Sequence, residues 1–182
     1  MTARRSRASP AGAVRNVFDQ YEQLENQVTH SLATALSRDT QLRRSFLARF
    51  APGGSMPRNL PFVAEQQLPG EPALEEAEAS ARGLPDAWIH DGSQHALLIE
   101  SKVTASVSTS QITRHLATAR RRGFSRSQVL LIAAGIHSGV MSRGVLHASW
   151  KSVYSWLRSH AGASFWAAEA AGYLEVVDAR FM

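Results

Sequence analysis

The sequence predicts an α/β fold in which helices flank a mixed β-sheet, and three observations support this. Apolar residues recur at three- and four-residue spacing over residues 14–36, which is typical of a long amphipathic helix. An Asp-Gly pair separates the apolar segments 87–90 and 96–103, which predicts an antiparallel hairpin. The nearly all-apolar segment 128–134 predicts a strand buried on both faces and parallel to the second hairpin strand.

Length and composition set the domain organisation. The chain has 182 residues, enough for one domain with a substantial core, and we assign residues 14–182 to it. Residues 1–13 carry three arginines among Ser, Ala, Pro and Gly, which predicts a disordered basic arm. The arm either contacts a phosphate backbone or is a solvated tail. Because the chain has no cysteine, a metal ion would be held by oxygen or imidazole ligands.

Charge and hydropathy narrow the partners. The net charge of +5 favours a polyanionic partner such as nucleic acid. No apolar run approaches the length of a membrane span, and the N-terminal segment does not resemble a secretory signal. We therefore expect a cytoplasmic protein with no membrane association.

Two further elements are predicted before the hairpin. Residues 41–50 form a short helix that ends at a Pro-Gly-Gly loop. Residues 60–68 form a strand that pairs beside the hairpin. The acidic segment 70–81 is expected to be an exposed loop or a short helix.

The elements after the hairpin alternate between helix and strand. Residues 106–122 form a helix that connects the hairpin to the buried strand, and residues 135–144 form a loop. Residues 150–160 and 163–171 form two C-terminal helices, and residues 173–177 a short strand or an extended tail. The aromatic residues of this region recur at helical spacing, which favours a place in the core over a base-stacking surface.

The hairpin brings charged side chains together. Because side chains alternate between the two faces of a strand, Glu100 and Lys102 share one face, and Leu97 and Ile99 face the core. Antiparallel pairing places the start of the first strand beside the end of the second, which puts Asp86 near Glu100. Three charged groups are therefore expected at one rim of the sheet.

The pair Pro85-Asp86 followed by Glu100-Ser101-Lys102 resembles the PD-(D/E)xK motif of the restriction-endonuclease-like nuclease superfamily. The resemblance implies a core of helix, three antiparallel strands, helix and a parallel strand, here with extra C-terminal helices. It also implies Mg²⁺- or Mn²⁺-dependent hydrolysis of phosphodiester bonds in nucleic acid, with DNA favoured, in restriction, defence or repair. Since the chain has only one other lysine, Lys151, the lysine in the motif is suggestive, although chance placement is the alternative.

The resemblance also assigns roles to the motif residues. Asp86 and Glu100 would hold the metal ion together with the backbone carbonyl of Ser101. Lys102 would orient the attacking water and stabilise the transition state.

Two other residues are candidates for the same site. Glu25 lies on or beside the buried stripe of the first helix, where an unpaired carboxylate would be costly. The resemblance gives it a metal-side role, and the alternative is a boundary residue paired with an arginine such as Arg15 or one from a neighbouring segment. Gln111 shares a helix face with His115. The resemblance points Gln111 into the active site, and the alternative is an ordinary exposed residue.

Nucleic-acid contacts are predicted for the arginines on and after the connecting helix: Arg114, Arg120, Arg121, Arg122 and Arg126. Cations at the end of a helix also suit its dipole, so the run has a second explanation. The other interpretations of the chain are a catalytically silent nuclease-like fold that binds nucleic acid or protein, and an interaction protein whose motif is accidental. A homodimer is left open.

Overall fold

The structure is a computed structural model of the chain, and it describes residues 24–52, 56–65, 84–103, 108–134 and 144–177. These ranges form five helices around one five-stranded sheet. The predicted α/β class is therefore confirmed.

The helices and strands have the following bounds. The helices are α1 Leu24–Arg38, α2 Thr40–Phe50, α3 Thr109–Arg121, α4 Trp150–His160 and α5 Phe165–Val177. The strands are β1 Phe62–Glu65, β2 Ala87–His90, β3 His95–Lys102, β4 Arg126–Ala133 and β5 Val145–Ser149.

The strands lie in the sheet in the order of the sequence, from β1 to β5. β1 and β2 pair antiparallel, as do β2 and β3, whereas β4 is parallel to β3. The predicted hairpin, its neighbouring strand and the parallel partner are thus confirmed. Assignment of this core to the restriction-endonuclease-like fold remains a prediction.

Strand β5 was not predicted, and β4 is therefore not the last strand of the sheet. β5 pairs parallel with the free edge of β4. Its five residues include His147 and are mostly half-buried, so the segment lacks both the apolar run and the strict alternation that mark a strand. β5 pairs with the buried part of β4, residues 129–133, so the strand depends on tertiary contacts that its own sequence does not encode.

The two faces of the sheet pack against different helices. On one face, Ile89, Leu97 and Ile99 join a core that is completed by residues of α1, α2, α4 and α5. On the other face, Trp88 and Leu98 pack with residues of α3 and the segment after it. The sheet is therefore the middle of three layers, and the predicted core positions of Leu97 and Ile99 are confirmed.

Serine side chains mark the start of two helices. The Ser108 hydroxyl accepts a hydrogen bond from the backbone N–H of Gln111 and caps α3. Ser149 and Ser152 form a reciprocal capping box at the start of α4. The basic arm 1–13, residues 14–23 of the predicted first helix and the acidic segment 70–81 lie outside the described residues.

The prediction of a strand or extended tail at residues 173–177 was wrong, because these residues are the last turns of α5. Ala167, Ala170, Ala171 and Leu174 are fully buried at three- and four-residue spacing, and they continue one helical stripe in the core that includes residues of α1. That packing outweighs the strand preference of the β-branched residues at the C-terminal end.

The aromatic residues of the C-terminal helices mostly belong to the core, as predicted. Trp150, Trp156 and Tyr173 are buried. Phe165 is the exception, with 68% of its surface exposed.

Candidate active site

Asp86 and Glu100 meet at the rim of the sheet where β2 begins and β3 ends. Ala87 pairs with Ile99, so Asp86 lies next to the end of β3. Its Oδ2 accepts a hydrogen bond of 2.7 Å from the backbone N–H of Ser101. The predicted approach of the two carboxylates is therefore present, and it is held by main-chain geometry.

Glu100 is buried and is contacted by three side chains. Gln111 Nε2 donates to Glu100 Oε1 at 2.6 Å, and Lys102 Nζ lies 3.1 Å from the same oxygen. His115 Nε2 lies 2.9 Å from Oε2. An ionised carboxylate offers about four acceptor positions, so three contacts leave roughly one on Oε2. These partners offset the cost of burying a charge in the core.

Lys102 connects Glu100 to the first helix. Its Nζ lies 3.5 Å from Glu25 Oε2 in addition to the contact with Glu100. Burial alone would lower the pKa of Lys102, but the carboxylates of Glu100, Asp86 and Glu25 outweigh it and raise that pKa. Lys102 is therefore a permanent cation at neutral pH and does not accept a proton.

Glu25 lies in the first turn of α1 and reaches the same rim. Its Oε1 accepts a hydrogen bond of 2.9 Å from the backbone N–H of Val103, and its Oε2 faces Lys102. Among the described residues Lys102 is a cation beside Glu25, and the predicted alternative of an arginine partner stays untested. Arg15 lies outside them.

Asp86 is electrostatically the least favourable member of the cluster. Burial first, and the charge of Glu100 second, raise the pKa of Asp86 to about 7, although Lys102, the Ser101 N–H and His115 act in the opposite direction. Lys102 pairs with the carboxylates of Glu25 and Glu100, and Asp86 adds a third acidic group beside them.

The two adjacent carboxylates suit an open site for a hard divalent cation better than they suit a closed structural metal site. Among the residues that the structure describes, no group of three or more His, Cys, Asp or Glu side chains is arranged to hold a metal ion. Mg²⁺ is often held by only one or two carboxylates, with waters and substrate phosphates as its other ligands. Asp86 and Glu100 match that pattern, and the roles of Asp86, Glu100, the Ser101 carbonyl and Glu25 as ligands all remain predictions.

The structure divides the predicted site residues into two groups. Gln111 is half-buried and points at Glu100, so it is not an ordinary exposed residue. The predicted nucleic-acid contacts are all exposed side chains, and they are Arg114, Arg120, Arg121, Arg122 and Arg126. Arg114 lies one turn after Gln111. Arg120, Arg121 and Arg122 lie at the far end of α3, roughly 15 Å away along the helix axis, and Arg126 begins β4.

Two contributors to the site were missed. His115 received no role, although its spacing of four residues from Gln111 already placed both on one helix face. The backbone N–H of Val103, which binds Glu25, has no side-chain signal in the sequence.

Comparisons of the chain with protein-family models, with curated proteins and with solved structures find no match. Within the part of the chain that the structure describes, no helix has the length and apolar character needed to cross a membrane.

Proposed function

We propose that this chain is a metal-dependent nuclease that hydrolyses phosphodiester bonds of nucleic acid. One observation carries the proposal: Asp86, with a pKa raised to about 7, lies beside buried Glu100 and cationic Lys102 at one rim of the sheet. A carboxylate with a shifted pKa next to a fixed cation is typical of catalytic sites, although ion pairs with a purely structural role also shift pKa values.

Asp86 and Glu100 are the residues that would hold Mg²⁺ or Mn²⁺. Such an ion neutralises phosphate charge and activates water when it is bound. Gln111 and His115 fix the Glu100 carboxylate, because each donates to a different oxygen. Glu25 restrains Lys102 on its other side.

Lys102 acts as a cation and not as a base. In hydrolysis a water oxygen loses a proton to solvent and bonds to phosphorus, while the bond from phosphorus to the leaving oxygen breaks and the leaving oxygen takes up a proton from solvent. Negative charge grows on the phosphoryl group between them. A protonated ammonium group fixed in place stabilises that charge without reorganisation. The raised pKa of Lys102 keeps it protonated throughout.

The net charge of +5 supports a polyanionic substrate. DNA as the favoured substrate, and a setting in restriction, defence or repair, come from the motif resemblance.

The test is incubation of the full chain with duplex DNA, single-stranded DNA, flap DNA and RNA, with Mg²⁺ or Mn²⁺ and separately with EDTA. We expect cleavage only with metal. Substitutions Asp86→Asn and Lys102→Met should each lower the rate by about 100-fold or more, as the loss of one transition-state contact does.

Two exposed residues provide matched controls for these substitutions. Glu169→Gln changes an exposed carboxylate on α5, and Lys151→Met changes the other lysine, which is exposed on α4. Both should cleave like the wild type. Metal-dependent cleavage that survives both Asp86→Asn and Lys102→Met would contradict the proposed site.

A second candidate is a catalytically silent fold that binds nucleic acid or protein. It is favoured by the self-sufficient arrangement around Glu100, where protein donors already engage both oxygens. Binding of DNA without cleavage under any condition, unchanged by Asp86→Asn and Lys102→Met, would support it.

A further inference from the structure

A cluster of aromatic rings extends along the sheet away from the candidate active site. The ring centroid of Phe62 lies 5.4 Å from that of His90, and His90 lies 5.4 Å from Phe124. Phe124 in turn lies 6.1 Å from Trp88, and the Arg122 guanidinium lies 5.1 Å from the Trp88 ring. We call these five residues the aromatic shelf.

The shelf and Asp86 occupy the same face of the sheet. Phe62 pairs with His90 across β1 and β2, so both side chains project to one side. Asp86, Trp88 and His90 are two residues apart in succession and therefore also share that side. At about 3.3 Å per residue, Trp88 lies roughly 7 Å from Asp86 along the strand, and His90 lies roughly 13 Å from it.

The outer part of the shelf is accessible, and the inner part supports it. Phe62 is 52% exposed on the edge strand β1, and its neighbour on the same face, Ala64, is exposed as well. Trp88 and Phe124 are only 4% and 8% exposed. The shelf thus presents one phenyl ring to solvent on a rigid aromatic base.

One cation borders this ring cluster. Arg122 is exposed at the end of α3, and its guanidinium lies over the Trp88 ring. Burial lowers the pKa of His90, although Asp91 opposes it, and this shift favours the neutral imidazole ring between Phe62 and Phe124. Proteins that bind single-stranded nucleic acid use exposed aromatic rings next to cations, because every unpaired base has a flat face that can stack on a ring.

We propose that the aromatic shelf binds an unpaired base of a nucleic-acid strand, which stacks on Phe62 while Arg122 contacts a neighbouring phosphate. The binding site stands independently of catalysis, but its role as a substrate subsite rests on the proposed nuclease function. In that role it selects substrates with a single-stranded segment a few nucleotides from the bond that is cleaved.

Binding can be measured without cleavage by fluorescence anisotropy in EDTA. The probes are labelled single-stranded DNA, single-stranded RNA and a blunt DNA duplex of equal length. Stacking of one base contributes about 1–3 kcal/mol, so Phe62→Ala should weaken binding of a single strand about 5- to 150-fold. Phe62→Trp should retain it, and the comparison of DNA with RNA identifies which strand the shelf prefers.

The chain contains a matched control for Phe62. Phe165 is even more exposed, at 68%, but lies on α5, so Phe165→Ala should bind like the wild type. Circular dichroism checks that each variant is folded. Because loss of a phosphate contact to a single strand removes about 0.7 from the slope of log K against log salt, Arg122→Gln should show a shallower slope.

The outcomes separate this proposal from the nuclease proposal. Equal single-strand affinity for Phe62→Ala and Phe165→Ala, or no binding of single strands by the wild type, would overturn the shelf. If Phe62→Ala loses affinity for single strands but the wild type cleaves no substrate, the proposed binding site stands and the proposed nuclease function is refuted. With both intact, Phe62→Ala should slow cleavage of flap DNA more than cleavage of a blunt duplex.

Discussion

Replacement of Asp86 by asparagine should stabilise the metal-free protein in a pH-dependent way. The asparagine side chain keeps an oxygen that can accept the Ser101 N–H, as Asp86 Oδ2 does. It removes the negative charge that burial and Glu100 make unfavourable. The substitution therefore isolates the cost of ionising Asp86.

The magnitude follows from the pKa of Asp86, which is about 7 in the folded protein against 3.8 for the ordinary group. Between those values the folded chain binds a proton that the unfolded chain releases, so the free energy of unfolding falls as pH rises through this window. Three pKa units correspond to at most about 4 kcal/mol. Above pH 7, Asp86→Asn should thus be more stable than the wild type by up to that amount, and the difference should vanish near pH 4.

The assay is urea unfolding followed by tryptophan fluorescence in EDTA at pH values from 4.5 to 8.5. Thermal unfolding at the same pH values is a second readout. A difference of 4 kcal/mol corresponds to an increase of about 8 to 16 °C in melting temperature for a chain of this size. Glu169→Gln serves as the control, because substitution of an exposed carboxylate should change stability by less than about 0.5 kcal/mol at every pH.

The reasoning is refuted if Asp86→Asn is as stable as the wild type, or less stable, at pH 8.5. A stability difference that is the same at all pH values would also refute it, since an ionisation effect must follow the titration of Asp86.

Two further substitutions test the support around Glu100. Lys102→Met leaves buried Glu100 without its cation and should lower the free energy of unfolding by about 3–5 kcal/mol, whereas Lys151→Met should leave it nearly unchanged in the same urea titration. His115→Leu removes the donor to Glu100 Oε2 and should lower the free energy of unfolding by about 1–3 kcal/mol. His115→Gln should recover part of that loss. Equal stability of the leucine variant and the wild type would show that the contact is dispensable.

Much of the fold follows from local patterns. The hairpin was predictable because an Asp-Gly turn and alternating side chains are encoded within a few residues. β4 was predictable because a strand buried on both faces is almost entirely apolar. β5 and the last turns of α5 were not, because their structure depends on neighbours that are distant in the sequence: β4 for the strand, and α1 for the helix.

The candidate site divides in the same way. The shared face of Glu100 and Lys102 follows from the two-residue period of a strand, and the approach of Asp86 follows from the hairpin. The contact of His115 with Glu100 depends on how α3 packs across the sheet.

The sequence by itself determined the α/β class, the hairpin and the set of charged residues that meet at its rim, because these depend on local periodicity and one turn. The tertiary structure alone decided three features: the contact of His115 with Glu100, the pairing of Lys102 with Glu25, and the aromatic shelf. Each joins separate elements across the fold, and the angle and distance at which elements pack are set by the whole core and not by any one segment.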